Sequence, residues 1–103
     1  MRRPIVFALL ACAVSATVYA KATAHTVEID GLKYSPAMLS VKRGDTVTWV
    51  NKDPFPHTVT AHGAFDSGDI PAGGRWTLVA RKPGTYGYIC TYHPNMKGVL
   101  KVE

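Results

Sequence analysis

After residue 24 the chain divides into short β-prone segments separated by turn residues, and this spacing limits the folds it can form. The segments are rich in Val, Thr, Ile, Tyr and Trp, and several of them alternate apolar with polar residues. Turn sequences such as Arg43-Gly44-Asp45 and Pro83-Gly84 lie between them. We therefore predict an all-β protein, a sandwich or barrel of about seven to eight short strands. The segments are 26–30, 38–42, 46–51, 57–61, 75–80, 85–90 and 98–103.

The aromatic residues divide into two groups by position. Trp49, Trp76, Tyr86 and Tyr88 lie within predicted strands, so we expect them to pack in the core rather than to have a functional role. Phe55 lies between two prolines in a predicted loop, where an exposed ring would contribute to a docking surface.

Residues 1–24 are predicted to be a secretory signal peptide, which leaves residues 25–103 as the single domain. Arg2 and Arg3 precede an apolar stretch, and small residues permit cleavage after Ala20 or after Ala24. The apolar stretch is shorter than the ~20 residues of a membrane span, so we expect export to the periplasm without stable membrane insertion. Lipid anchoring through Cys12 is an alternative, because Leu-Leu-Ala-Cys loosely resembles a lipoprotein cleavage site.

Charge and cysteine content narrow the function further. The net charge of +5 falls to +3 without Arg2 and Arg3, and to +2 if Lys21 is also removed. The remaining charge is scattered, so we expect no nucleic-acid partner. Cys90 is the only cysteine outside the predicted signal peptide and cannot form an internal disulfide. In an oxidising compartment, a bound metal is the simplest partner for such a thiol.

Cys90, His93 and Met96 lie three residues apart. Cys90 ends a predicted strand, and His93 and Met96 are predicted to lie on the turn that follows it, whereas His57 lies in an upstream β-prone segment. Two histidines, one cysteine and a weakly bound methionine form the ligand set of blue-copper electron-transfer sites. Because this mixed set is a compromise between the ligands that Cu(I) and Cu(II) prefer, the geometry of the site changes little when an electron is transferred. A structural zinc site usually has no methionine, and c-type haem attachment needs a second cysteine.

The chain resembles the small cupredoxins, the type 1 blue copper proteins, and is most similar to the amicyanin, pseudoazurin and plastocyanin group. Matching stretches are Tyr34-Ser35-Pro36, 44–51, Pro56-His57, 83–90, 93–96 and 98–102. The resemblance implies a Greek-key β-sandwich that binds one type 1 copper ion through His57, Cys90, His93 and Met96. It also implies a monomeric periplasmic electron shuttle whose partners include a c-type cytochrome, an amine dehydrogenase or a reductase.

Two residues depart from the pattern of these relatives. Thr58 stands where these relatives commonly have an Asn that helps to connect the two segments carrying the ligands. We expect the Thr58 hydroxyl to make only part of that connection. Tyr92 replaces a common Pro and restores an amide hydrogen. We predict that this amide donates to the Cys90 sulfur, so that Tyr92→Pro would lower the reduction potential. Asn51, Pro56, Thr58 and Tyr92 are expected to support the ligands without binding the metal.

Four protein ligands leave no open position for a substrate, so we expect an electron carrier and not an enzyme. Pro54, Phe55, His93 and Pro94 are predicted to form its docking surface. Periplasmic copper binding or tolerance is the alternative function. A third possible function is a copper monooxygenase. Cleavage after Ala24 would make His25 the amino-terminal residue, and a terminal histidine can bind copper through its amine and its ring, as in such enzymes. His62 is expected to be an exposed loop residue.

Overall fold

The computed structural model describes residues 2–5 and 21–103, which form nine β-strands and no helix. The strands are β1 (Ala24–Asp30), β2 (Lys33–Ser35), β3 (Met38–Val41), β4 (Thr46–Asn51), β5 (Thr60–Ala61), β6 (Phe65–Asp66), β7 (Arg75–Val79), β8 (Gly84–Cys90) and β9 (His93–Val102). None of these residues therefore belongs to a helix with the length and apolarity needed to cross a membrane.

The nine strands form two sheets, one ordered β2-β1-β4-β7 and the other β3-β9-β8-β5-β6. The pairs β1–β4 and β3–β9 are parallel, and the remaining pairs are antiparallel. The chain crosses from one sheet to the other at five of its eight connections, as is usual in a Greek-key sandwich. The prediction of an all-β sandwich is confirmed, although two of the nine strands, β2 and β6, are short additions.

The core lies between the inner faces of the two sheets. Strand β4 shows why: its residues alternate between half-buried and fully buried, with Val47 and Trp49 wholly inaccessible to water. Trp49 donates its indole N–H to the hydroxyl of Tyr88, at 3.3 Å, so its polar atom is also paired. Trp76 and Tyr86 pack against this core, which confirms the core assignment of all four aromatic residues.

One end of the sandwich brings together the segments that carry the predicted ligands. Strand β4 ends at Asn51, β8 ends at Cys90 and β9 begins at His93. The prediction that His93 and Met96 lie on the turn after β8 is wrong, because Cys90 already pairs with His93. The turn is only two residues long, and both side chains project from β9.

The opposite end carries a second polar cluster. Asp45 accepts hydrogen bonds from the Thr23 amide at 2.9 Å and the Lys42 amide at 3.0 Å, and its carboxylate lies 2.9 Å from His25 Nε2. These hydrogen bonds lower the pKa of Asp45 to about 2. The predicted signal peptide falls mostly outside the described residues, as do Cys12 and Ala20.

Candidate metal centre

Cys90 and His57 form the buried part of the candidate site. Both side chains are completely inaccessible to water, and His57 Nδ1 lies 3.5 Å from Cys90 Sγ. His57 is held in place by two backbone hydrogen bonds with Ile70, of 3.1 Å and 2.7 Å. The two predicted ligands, 33 positions apart in the sequence, are therefore neighbours in the fold.

The orientation of the His57 ring is set by Asp53, a residue that sequence analysis missed. Asp53 Oδ2 lies 2.7 Å from His57 Nε2, and the Asp53 side chain is 7% exposed. An ionised carboxylate can only accept, so Nε2 must carry the ring proton. In the neutral imidazole the other nitrogen, Nδ1, is then the unprotonated one; it faces Cys90 Sγ, and this is the form that a metal needs.

Asp53 is itself held by the turn between β1 and β2. The Gly31 amide donates to Oδ1 at 2.7 Å, and the Leu32 amide donates to Oδ2 at 3.0 Å. Burial alone would raise the pKa of Asp53, but the hydrogen bonds from Leu32, His57 and Gly31 outweigh burial and lower the pKa. Both turn residues have positive φ, 62° and 63°, which directs their amides to one point.

Thr58 connects the two segments that carry Cys90 and His57. Its backbone amide lies 3.4 Å from Cys90 Sγ and donates to it, and its hydroxyl accepts from the Thr91 amide at 3.0 Å. The hydroxyl therefore joins the segments, as the sequence suggested in part. Within the described residues the sulfur receives no hydrogen bond from the Tyr92 amide, so that prediction is wrong. The Tyr92 hydroxyl instead donates to Asp69.

Asn51 holds the loop that leads to His57. Its side-chain amide lies 2.9 Å from the carbonyl oxygens of Phe55 and Ile70, and its Oδ1 accepts from the Asp53 amide at 3.0 Å. Asn51 is fully buried, so no water competes for these groups. Through these hydrogen bonds the Asn51 side chain holds the loop at Asp53 and Phe55, before His57, and at Ile70, which pairs with His57.

His93 and Met96 occupy opposite environments on β9. The His93 ring is exposed, with its centroid 5.6 Å from that of His57, whereas Met96 is only 4% exposed. Residues 2–5 and 21–103 contain no group of three His, Cys, Asp or Glu side chains close enough to hold one ion. The thiol, two imidazoles and thioether suit copper chemically, but among these four side chains only His57 and Cys90 are within hydrogen-bond distance of each other.

An apolar surface surrounds the exposed edge of His93. Phe55, Pro56, Tyr92 and His93 line a shallow depression of about 270 Å³, and the ring centroids of Phe55 and His93 are 6.2 Å apart. Phe55 is 41% exposed, as its position between prolines predicted. Pro54 and Pro94 are also exposed but do not line the depression.

The remaining two histidines lie apart from these residues. His25 pairs with Asp45 at the other end of β4, and His62 is exposed in the turn between β5 and β6. Neither contacts His57, Cys90 or His93 through a hydrogen bond in the part of the chain that the structure describes.

Comparisons with known proteins agree with this architecture. A family model described as a cupredoxin-like domain matches residues 4–102. The amicyanin of Paracoccus denitrificans is 37% identical over 86 residues, which cover 78% of this chain and 66% of that protein. The chloroplastic plastocyanin of Physcomitrium patens is 34% identical over 118 residues, covering 93% of this chain and 68% of the relative.

The fold is also similar to that of solved amicyanin structures. The structure of an amicyanin variant in its oxidized state superposes with a TM-score of 0.74 at 36% identity. The superposition covers 78% of this chain and 82% of the other. The similarity therefore extends over most of the chain.

Proposed function

The chain belongs to the cupredoxin family, and on this basis we propose that it carries single electrons between redox proteins through one bound copper ion. The observation that carries this proposal is the buried contact between Cys90 Sγ and the unprotonated Nδ1 of His57, with the exposed His93 ring beside it. Copper, when bound, would supply a one-electron Cu(I)/Cu(II) couple.

Each proposed ligand has a separate task. His57 binds through Nδ1, because its Nε2 proton is directed to Asp53. Cys90 binds as a thiolate whose sulfur also accepts the Thr58 amide, a hydrogen bond of the kind that tunes reduction potential. Met96 supplies the weak fourth contact from the interior. His93 completes the set from the solvent side.

The exposed ring of His93 is the proposed route for the electron. Phe55, Pro56 and Tyr92 surround it with apolar surface, which suits the small, weak interfaces of redox encounters. Four protein ligands leave no vacant position for a substrate, so we infer a carrier and not an enzyme. We further propose export to the periplasm and exchange with a c-type cytochrome, an amine dehydrogenase or a reductase.

Copper loading tests the site directly. Adding Cu(II) to the copper-free protein should give an intense blue colour that a mild reductant bleaches reversibly. Cys90→Ser and His57→Ala should abolish the colour, whereas His62→Ala, an exposed histidine away from the site, should retain it. A nearly colourless Cu(II) form would instead favour copper delivery or tolerance.

Docking is tested by a matched pair of charge substitutions. Phe55 and Val79 are similarly exposed, at 41% and 40%, but Val79 lies at the opposite end of β7 from the candidate site. Phe55→Asp should lower the rate of electron exchange with a redox partner, and Val79→Asp should not. Equal rates for both variants would place the docking surface elsewhere.

A further inference from the structure

Tyr92 makes a contact that the proposed electron transfer does not use. Its side chain is 53% exposed, yet its hydroxyl lies 2.7 Å from Asp69 Oδ1 and 2.8 Å from Asp69 Oδ2. The hydroxyl donates and the carboxylate accepts, so the bond is charge-assisted. It joins residues that are 23 positions apart in the chain.

Asp69 is adjacent to the residue that fixes His57. Ile70 exchanges two backbone hydrogen bonds with His57, and its carbonyl also accepts from the Asn51 side chain. Asp69 therefore extends from a segment that is anchored to the buried half of the candidate site. Tyr92, in turn, lies between Cys90 and His93.

The two ligand segments are consequently joined on two sides. The inner connection is the hydrogen bond from the Thr91 amide to the Thr58 hydroxyl, and the outer connection is Tyr92 to Asp69. The His93 ring has no hydrogen bond of its own among residues 21–103, so its position depends on the backbone that carries it.

We propose that the Tyr92–Asp69 hydrogen bond is a latch that positions His93, by fastening the turn between β8 and β9 to the segment that holds His57. Tyr92 is a positioning residue in this scheme and does not touch the metal. The latch also fixes the Tyr92 ring as one wall of the depression beside His93. The proposal rests on the proposed function in one respect only, that His93 is a ligand.

Copper retention provides the first test. The reduced, copper-loaded protein is mixed with excess bicinchoninic acid, a Cu(I) chelator, and the rate of copper loss is measured. We expect Tyr92→Phe and Asp69→Ala each to accelerate the loss about three- to tenfold, which is the net effect of one typical hydrogen bond, because exposure to solvent weakens the contribution of the charge. The double variant should lose copper no faster than either single variant, because both remove the same bond.

Two further variants serve as controls. Asp69→Asn retains an acceptor oxygen and should restore most of the retention. Tyr86→Phe removes a hydroxyl that donates to the Lys82 carbonyl at 2.7 Å, on β8 far from Cys90, and should leave the rate unchanged. Additive effects in the double variant, or loss as slow as in the unaltered protein, would overturn the latch.

Amide hydrogen exchange of the copper-free protein gives a second test that needs no metal. Tyr92→Phe should accelerate exchange in residues 91–97 and leave exchange in β4 unchanged. Acceleration throughout both sheets would mean a general loss of stability and would overturn the latch. A protein that never forms a blue copper complex would refute the proposed function, while the exchange experiment would still decide whether residues 91–97 are fastened.

Discussion

Replacing Asp53 by Ala should destabilise the copper-free protein, because it removes the acceptor of a buried ring nitrogen that has no other acceptor among residues 21–103. The His57 side chain has no exposed surface, so water cannot replace the lost partner at Nε2. An unpaired buried donor costs about 1–3 kcal/mol. The amides of Gly31 and Leu32 also lose their acceptor, but they are near solvent and together add about 1 kcal/mol.

The expected loss for Asp53→Ala is therefore about 2–4 kcal/mol of unfolding free energy. Urea unfolding at pH 7 measures it, and with an m-value of about 1 kcal/mol/M the midpoint should fall by about 2–4 M. Asp30→Ala removes an exposed carboxylate from the same end of β1 and serves as the control. A loss for Asp53→Ala no larger than that of the control would refute the reasoning.

Asp53→Asn separates the shape of the side chain from its hydrogen bonding. The carboxamide offers one oxygen, which can accept from His57 and Leu32, but its NH2 group then faces the Gly31 amide. We expect a smaller loss of about 1–2 kcal/mol. The imidazole ¹⁵N shifts of His57 supply an independent check, since Nε2–H should dominate in the unaltered protein and become mixed with Nδ1–H in Asp53→Ala.

Three further predictions concern parts of the fold away from the candidate ligands. Gly98→Ala should lower the unfolding free energy by about 1–3 kcal/mol, because a Cβ there would overlap the buried Tyr88 ring, whereas Gly87→Ala on the neighbouring strand meets open space and serves as the control. The unfolding free energy of the copper-free protein should fall as the pH is lowered from about 4, the ordinary aspartate pKa, to about 2, the pKa of Asp45 in the folded protein. In Asp45→Asn this fall of the unfolding free energy with pH should be smaller. A chain that begins at residue 25 should unfold at lower urea concentration than one that begins at residue 21, because it lacks the Thr23 amide that donates to Asp45; equal midpoints would contradict this.

Most of the sheet structure could be predicted because its longer strands each bury one face. Thr46–Asn51 alternates strictly, so its period of two is visible in the sequence. β6 has only two residues and β2 three, too few for any period to emerge. The start of β9 was missed because His93-Pro94-Asn95 has the composition of a turn, whereas the two preceding residues already reverse the chain.

The candidate ligands could be named from the sequence because copper chemistry restricts which residue types can bind the ion. The residues that orient them could not, because only the fold brings those side chains together. A cysteine, two histidines and a methionine indicate copper irrespective of the secondary structure that carries them. Asp53 lies four positions before His57, but outside a helix this spacing predicts no contact. The contact between Asp69 and Tyr92 was even less predictable, since no sequence pattern relates these two positions. The predicted Tyr92 amide donor is replaced by the Thr58 amide, because the short turn directs the sulfur to the neighbouring segment.

The hydrogen bonds around Cys90 and His57 have a consequence for electron transfer itself. The partners that orient these two side chains, Asp53 and Thr58, form their contacts entirely within the protein. These hydrogen bonds restrain both side chains, so under the proposed function we expect a change of copper oxidation state to move their atoms little. The exposed His93 has fewer restraints, and the motion that accompanies loading or release of copper should be concentrated there. Under the proposed function, two interior ligands restrained by side-chain hydrogen bonds and one surface ligand restrained only through its backbone would suit a carrier that must exchange electrons quickly while keeping its ion.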